Sequence, residues 1–286
     1  MRIKITADST CDLRPETIAE HDIELFSLTI KMGDKLYRDG VDITAADTFR
    51  YVDAGGELCS TIALNVQEYQ ERFEVLAKEY DAVIHINISS DFSSCYQNAC
   101  IAAAELDNVY VVDSRNLSSG HGHVVMEAVT KAEEGKTPEE ILAWLDDVIP
   151  RVNASFILDR LDYMRKGGRC STVQALGANL LKLKPCIEVT GGKMHVSKKY
   201  RGNLEKVMME YTRDRLKNPD ELVLDRVYIT SPEASAELIE KIRELIAQLA
   251  PFTTIQHTVA GCTVGCHCGP NTIGVLYIMK HAKEEQ

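Results

Sequence analysis

The chain has 286 residues, of which 45% are hydrophobic and only 6% aromatic, and it carries a formal net charge of −11 from 32 basic and 43 acidic side chains. That length predicts two domains with aliphatic cores, and the acidic balance argues against nucleic acid as a partner. No apolar run approaches the roughly 20 residues of a membrane span. Nine scattered cysteines, with no signal-peptide pattern at the N-terminus, predict reduced thiols and a cytoplasmic protein that is not membrane-integral.

Ile3–Ser9 is strand-like, Pro15–His21 suits a short helix, and Ile23–Tyr37 reads as two strands around the Met32-Gly-Asp-Lys35 turn. Val66, Tyr69, Phe73 and Leu76 share one face of a helix over Val66–Tyr80. Strand Ala82–Ser89, helix Ser93–Leu106, strand Val109–Ser114 and helix Ser118–Glu134 follow. Thr137-Pro-Glu-Glu140 has the Thr N-cap, Pro at N1 and Glu at N3 of a capping box, opening a helix that runs to about Ile149. A boundary at Pro150 gives an N-terminal α/β domain over 1–150 and a C-terminal α/β domain over 151–286. In the second, Ser155–Leu158, Leu222–Thr230, Phe252–Val259 and Ile273–Met279 are predicted strands, with helices over Leu204–Leu216 and Ala234–Leu249. This alternation predicts the α/β class, with parallel or mixed sheets covered by helices.

Three predicted strands end in similar polar chemistry: Ala7-Asp8-Ser9, Ile88-Ser89-Ser90 and Val112-Asp113-Ser114. Open α/β sheets bind ligands beyond the carboxyl ends of their strands, and the helices that follow offer free N–H groups to anions. Ser93 stands where such a helix begins; it suits a carboxylate or phosphate, or serves only as an N-cap. Ser60-Thr61, in a short non-helical stretch, offers two more hydroxyls or is plain loop. Towards the C-terminus, Gly261–Gly274 holds four glycines and a proline around His267, which predicts a tight, non-helical loop. His267 there is an anion donor or a structural residue. From Arg160 to Lys206 eleven Lys/Arg stand against three Asp/Glu, in clusters such as Arg165-Lys-Gly-Gly-Arg169, Lys182-Leu-Lys184 and Lys198-Lys-Tyr-Arg201-Gly202. They fit phosphate, an acidic protein surface or a solvated face.

In order, the motifs are Ala7-Asp-Ser-Thr-Cys-Asp-Leu13, Cys59-Ser-Thr61, Ile88-Ser-Ser-Asp-Phe-Ser-Ser-Cys-Tyr-Gln-Asn-Ala99 and Val112-Asp-Ser114. Leu161-Asp-Tyr-Met-Arg-Lys-Gly-Gly-Arg169, Lys184-Pro185, Lys199-Tyr-Arg-Gly202 and Cys266-His-Cys-Gly-Pro270 follow. Over nearly the whole chain this order resembles the DegV family, the fatty-acid-binding subunits of bacterial fatty acid kinase. The resemblance implies two α/β domains with a long-chain fatty acid in an apolar tunnel between them. Its carboxylate would be held by Thr61 and Ser93 with His267 close by. A separate ATP-dependent kinase subunit would phosphorylate that carboxylate, with Arg169 and Arg201 serving the kinase or the phosphate. The resemblance implies no catalytic residue, metal or cofactor in this chain beyond the bound lipid.

The sequence departs from the family at Ser94, where glycine is usual, at Cys95, at Ile62-Ala63-Leu64 and at Asn271. These positions bear on acyl-chain preference, or mark a carrier of another acidic lipid without a kinase partner. Two other readings compete. A lipid hydrolase or acyltransferase would use Ser93 or a cysteine with His267, although no Gly-x-Ser-x-Gly elbow is present. A structural zinc would use Cys262, Cys266, His267 and Cys268, whose spacing is crowded for a tetrahedral site.

Overall fold

The computed structural model describes residues 1–175 and 183–282. The first half runs β1 (Ile3–Asp8), α1 (Pro15–Glu20), β2 (Glu24–Phe26), β3 (Thr29–Met32), β4 (Lys35–Arg38), α2 (Ala45–Asp53), β5 (Ser60–Ile62) and α3 (Val66–Glu79). It continues through β6 (Ala82–Asn87), α4 (Cys95–Ala103), β7 (Val109–Asp113), α5 (Ser118–Glu133) and α6 (Pro138–Val148). The second half holds β8 (Val152–Asn153), β9 (Ser155–Ile157), α7 (Leu161–Gly167), α8 (Ser171–Gln174), β10 (Leu183–Thr190) and β11 (Lys193–Arg201). Then come α9 (Leu204–Arg215), β12 (Leu222–Ser231), α10 (Ala236–Leu249), β13 (Thr254–Val259), α11 (Cys262–Cys268) and β14 (Ile273–Met279).

β2-β1-β6-β7 form a wholly parallel sheet, with Ile5 opposite Ile84 and Ile86 opposite Val112. All six residues of the inner strand β6 are buried, as expected for a parallel strand covered on both faces. His85 sits among them as a neutral core residue. Its Nδ1 bonds Thr6 Oγ1 at 2.8 Å, its ring lies against Phe26, Tyr69 and Phe73, and burial holds its pKa well below the ordinary value.

The second sheet is ordered β11-β10-β9-β14-β12-β13, with β8 also on β14, and only β12–β13 is parallel. It is therefore mixed and mainly antiparallel, because β10 and β11 form a hairpin turning at Gly191-Gly192 rather than a crossover. That hairpin occupies the segment read from sequence only as basic clusters. A third, small sheet, β4-β3-β5, contains the predicted hairpin and adds Thr61 opposite Ile30.

Helix α5 joins the two large sheets. Its opening Ser-Ser-Gly-His-Gly-His is buried throughout. A side chain on Gly122 would run into the Cys11 carbonyl, and one on Gly120 would press on Ala154. His121 Nε2 donates to the Ile86 carbonyl of the first sheet (3.0 Å), and His123 Nε2 donates to the Leu276 carbonyl of the second (3.1 Å). The largest buried apolar cluster follows this helix from Ile84 and Val112 across to Phe156, Ile187 and Leu276. A second cluster lies beneath α9 and α10 on the other face of the second sheet. The chain leaves α6 through a 3-10 turn at Ile149–Arg151 before entering β8. Thr137 and Glu140 form the reciprocal capping box, as predicted.

Candidate functional site

A cavity of about 310 Å³ opens where the carboxyl edge of the parallel sheet meets the small sheet, α7 and α11. Leu28, Ile88, Phe92, Leu117, Met164 and Met194 make most of it apolar. Thr61, Ser93, Ser94, Arg169 and His267 supply its polar groups. Thus Thr61, Ser93 and His267, far apart in sequence, line one cavity. Arg169 joins them, whereas Arg201 is not part of the lining and is exposed at the end of β11.

His267 corrects the expectation of a non-helical loop. It lies in the last turn of α11, whose N-cap Gly261 is extended and whose C-cap Gly269 has φ 79°. The glycines bracket a helix instead of preventing one. Asp39 supplies the missing N-terminal cap, accepting from the N–H groups of Cys262 (2.8 Å) and Thr263 (3.1 Å), while Asp12 accepts from that of Gly261 (2.8 Å). These two side chains satisfy donors that a short helix leaves free. Burial raises the Asp12 carboxyl to about 8.

His267 Nε2 lies 3.0 Å from Thr61 Oγ1. Its Nδ1 has no partner and faces Gly167, where any Cβ would collide with the ring. Gly167 belongs to the Arg165-Lys-Gly-Gly-Arg169 motif, so this glycine makes room for a histidine 100 positions away. Burial, then the positive charge of Arg169, lowers His267 to about 4, which makes the ring neutral at pH 7. With no acceptor at Nδ1, a proton on Nε2 leaves fewer donors unpaired. Thr61 can then accept from the ring and turn its own hydroxyl proton into the cavity.

Ser93 sits two residues before the start of α4. Its hydroxyl donates to Cys95 Sγ (3.1 Å) and accepts from the Cys95 N–H (3.3 Å). Cys95 thus gives this hydroxyl a weak partner, one a stronger acceptor displaces, and burial lifts the thiol to about 11. No Ser93–His267 bond forms, since the ring bonds Thr61, and the hydrolase reading lacks its nucleophile–base pair here. Asn271 adopts φ 58°, a left-handed conformation asparagine tolerates better than most residues, so it fills a glycine-like position.

The predicted polar strand ends hold loops together. Asp8 is fully buried and accepts from the Ile88 N–H (2.7 Å) and from Thr10, while Asp113 accepts from Ser90 Oγ (2.6 Å). Their role at the carboxyl edge is to fix the turn that carries Phe92 and Ser93 into the cavity.

The basic segment is less basic in space than in sequence. Arg160 pairs with Asp162 and Asp53, Lys184 with Asp159, and Lys198 with Asp214 and Glu210. Arg169 instead donates to the carbonyls of Gly167 (2.6 Å) and Phe92 (3.4 Å), keeping its charge at the cavity rim. Lys182 lies outside the described residues.

None of the nine cysteines, all among the described residues, forms a disulfide. Cys262 Sγ donates to the Ile43 carbonyl and Cys268 lines the cavity, and among the described residues no three or more His, Cys, Asp or Glu side chains are set as a metal-ligand group. The zinc reading therefore has no geometry behind it. Sequence reading missed Thr263, Val264 and Cys268 as cavity residues. Helical spacing from His267 would have found Thr263, but the glycines disguised the helix. Among the described residues no helix is long and apolar enough to cross a membrane.

A family model for DegV, described as a family of uncharacterised proteins, matches residues 2–280. A DegV domain-containing protein of Clostridium acetobutylicum is 35% identical over 284 residues, covering 98% of this chain and 99% of the relative. A DegV family protein from Thermus thermophilus, solved for its fatty acid binding, superposes with a TM-score of 0.88 at 26% identity over 98% of this chain and 100% of that one. A stearic acid-binding protein from Eubacterium ventriosum gives a TM-score of 0.83 at 25% identity, covering 97% of this chain and 98% of its own.

Proposed function

The chain belongs to the DegV family, and from that premise we propose that it binds a long-chain fatty acid, with the acyl chain in the apolar part of the cavity and the carboxylate among Thr61, Ser93 and His267. The observation that carries this reading is the meeting of two hydroxyls, a neutral imidazole and the Arg169 charge in the wall of one largely apolar cavity. Each buried methylene contributes about 0.8 kcal/mol, so the chain supplies most of the affinity. The polar groups orient the head. The hydroxyl of Ser93 exchanges its Cys95 sulfur for a carboxylate oxygen, a better acceptor, and Thr61, whose hydroxyl is oriented by the His267 N–H, donates to the other.

The protein is then a cytoplasmic carrier of two α/β domains, 1–150 and 151–286, that presents the carboxylate to a separate ATP-dependent kinase subunit. A carboxylate oxygen attacks the γ-phosphorus of ATP, ADP leaves, and an acyl phosphate remains on the carrier. Arg169 at the rim would face the incoming phosphate, and Arg201, outside the cavity, would meet the kinase. This chain supplies positioning and charge and no nucleophile of its own.

Mass spectrometry of the organic extract of freshly purified protein tests the binding claim. A near-stoichiometric long-chain fatty acid supports it. An empty extract from protein that also fails to load added fatty acid refutes it.

A further inference from the structure

Beside the main cavity lies a second space of about 20 Å³. That is roughly room for one water, but Ala154, Phe156 and Leu276 line it, and the hydroxyls of Ser118, Thr230 and Thr272 that also border it are bonded to Asp12, Ser119 and the Cys268 carbonyl, which leaves its walls mainly apolar. The two spaces have three lining residues in common: Leu117, Val264 and Cys268. All three are buried. Val264 and Cys268 stand one turn apart on α11, the helix that carries His267, and Leu117 directly precedes α5. The partition is thus one side chain thick and apolar on both faces.

Building on the fatty-acid reading above, we propose that Leu117, Val264 and Cys268 form the stop that sets the acyl-chain length, and that the small space behind them is its unused extension. Valine suits a stop. Its branched Cβ has one strongly preferred rotamer in a helix, so it does not swing aside as an unbranched side chain would. The backbone of α11 is itself fixed by Asp39 at its N-terminus. Truncating Val264 to alanine removes two carbons from the wall and joins the spaces. That makes room for about two more methylenes, which at the usual burial gain is a roughly tenfold rise in relative affinity for the longer chain. Val264→Leu thickens the wall and moves the preference to shorter chains. Cys268→Ala opens the same wall by one sulfur and shifts it in the direction of Val264→Ala, by less.

The test uses the delipidated full chain, with myristic, palmitic, stearic and arachidic acids competing for the site, and thermal unfolding to check each variant's fold. Opposite shifts for Val264→Ala and Val264→Leu, with Cys268→Ala on the alanine side, are expected. A wild type that binds these acids, with folded variants that keep its length profile, overturns the stop while leaving the fatty-acid reading intact. A wild type that binds none of them overturns both.

Discussion

Replacing Gly167 with alanine tests the placement of His267 without touching any polar group. Gly167 ends α7 and is not in the left-handed region, so alanine is compatible with its backbone and favours the helix. The new methyl, however, falls closer to His267 Nδ1 than the 3.0 Å that real Cβ atoms respect, whereas ordinary contact begins at 3.4 Å. The ring must retreat by roughly 1 Å. Thr61 Oγ1 stands 3.0 Å from Nε2, so a retreat of that size breaks the bond and misdirects the donor. A hydrogen bond to a charged group is worth about 1.5–3 kcal/mol, which predicts roughly ten- to hundredfold weaker fatty acid binding. Competition binding on delipidated protein measures this, with thermal unfolding used to confirm that the variant remains folded despite the overpacking. In a His267→Ala background the ring is gone, and Gly167→Ala should then have little further effect. Wild-type affinity in Gly167→Ala, or an equal loss in both backgrounds, would refute the assignment of His267 as the residue that aims the Thr61 hydroxyl at the carboxylate.

Thr61→Val keeps the shape and strand preference of β5 but deletes a hydroxyl, and together with Ser93→Ala should lower affinity by roughly tenfold or more in competition binding. Unchanged affinity in both would move the carboxylate elsewhere. Arg169→Ala should weaken binding as well as phosphorylation, while Arg201→Ala should reduce acyl phosphate formation with a kinase subunit and spare lipid binding; the reverse pattern would exchange their roles. His267 is lowered to about 4 and His123 to about 3, mainly by burial, so both stay neutral in the folded protein while their unfolded forms take up protons below about 6.5. Their stabilising effect is complete above that pH and is lost as the pH falls towards 4, at most roughly 3 kcal/mol for His267. Urea titrations at pH 7 and 4.5 should show a smaller acid loss in His267→Gln than in wild type, and an equal loss would contradict this.

Much of the fold was written locally. Thr137 and Glu140 announce α6, the apolar run Ile273–Met279 is β14 to the residue, and Tyr69, Phe73 and Leu76 are the buried face of α3. Elements that depend on distant partners were harder to see. β5 is three residues long and exists as a strand because Thr61 pairs with Ile30. α11 looks like a loop until Asp39 is known to cap it. α2 was legible and overlooked, since Thr44 and Asp47 make a capping box of their own. The site followed the same division. Motif order pointed to Thr61, Ser93 and His267. Nothing in one sequence places Gly167 against His267, or Asp53 and Asp214 beside the basic segment, because those neighbours are created by tertiary packing.

The grip of α5 on both sheets bears on how a ligand enters and leaves. A clam-shell opening would strip His121 from the Ile86 carbonyl and His123 from the Leu276 carbonyl, stranding groups that cost about 1–3 kcal/mol each when unpaired and buried. It would also tear apart the apolar cluster that runs through the helix. The sheets therefore act as a fixed frame, and exchange is a matter of the doorway. That doorway is where Ile62, Ser94 and Arg169 are both exposed and part of the cavity wall. Ile62 and Ser94 front it with one apolar and one small polar side chain, so the rate of loading and release is set at these positions, apart from the groups that hold the carboxylate.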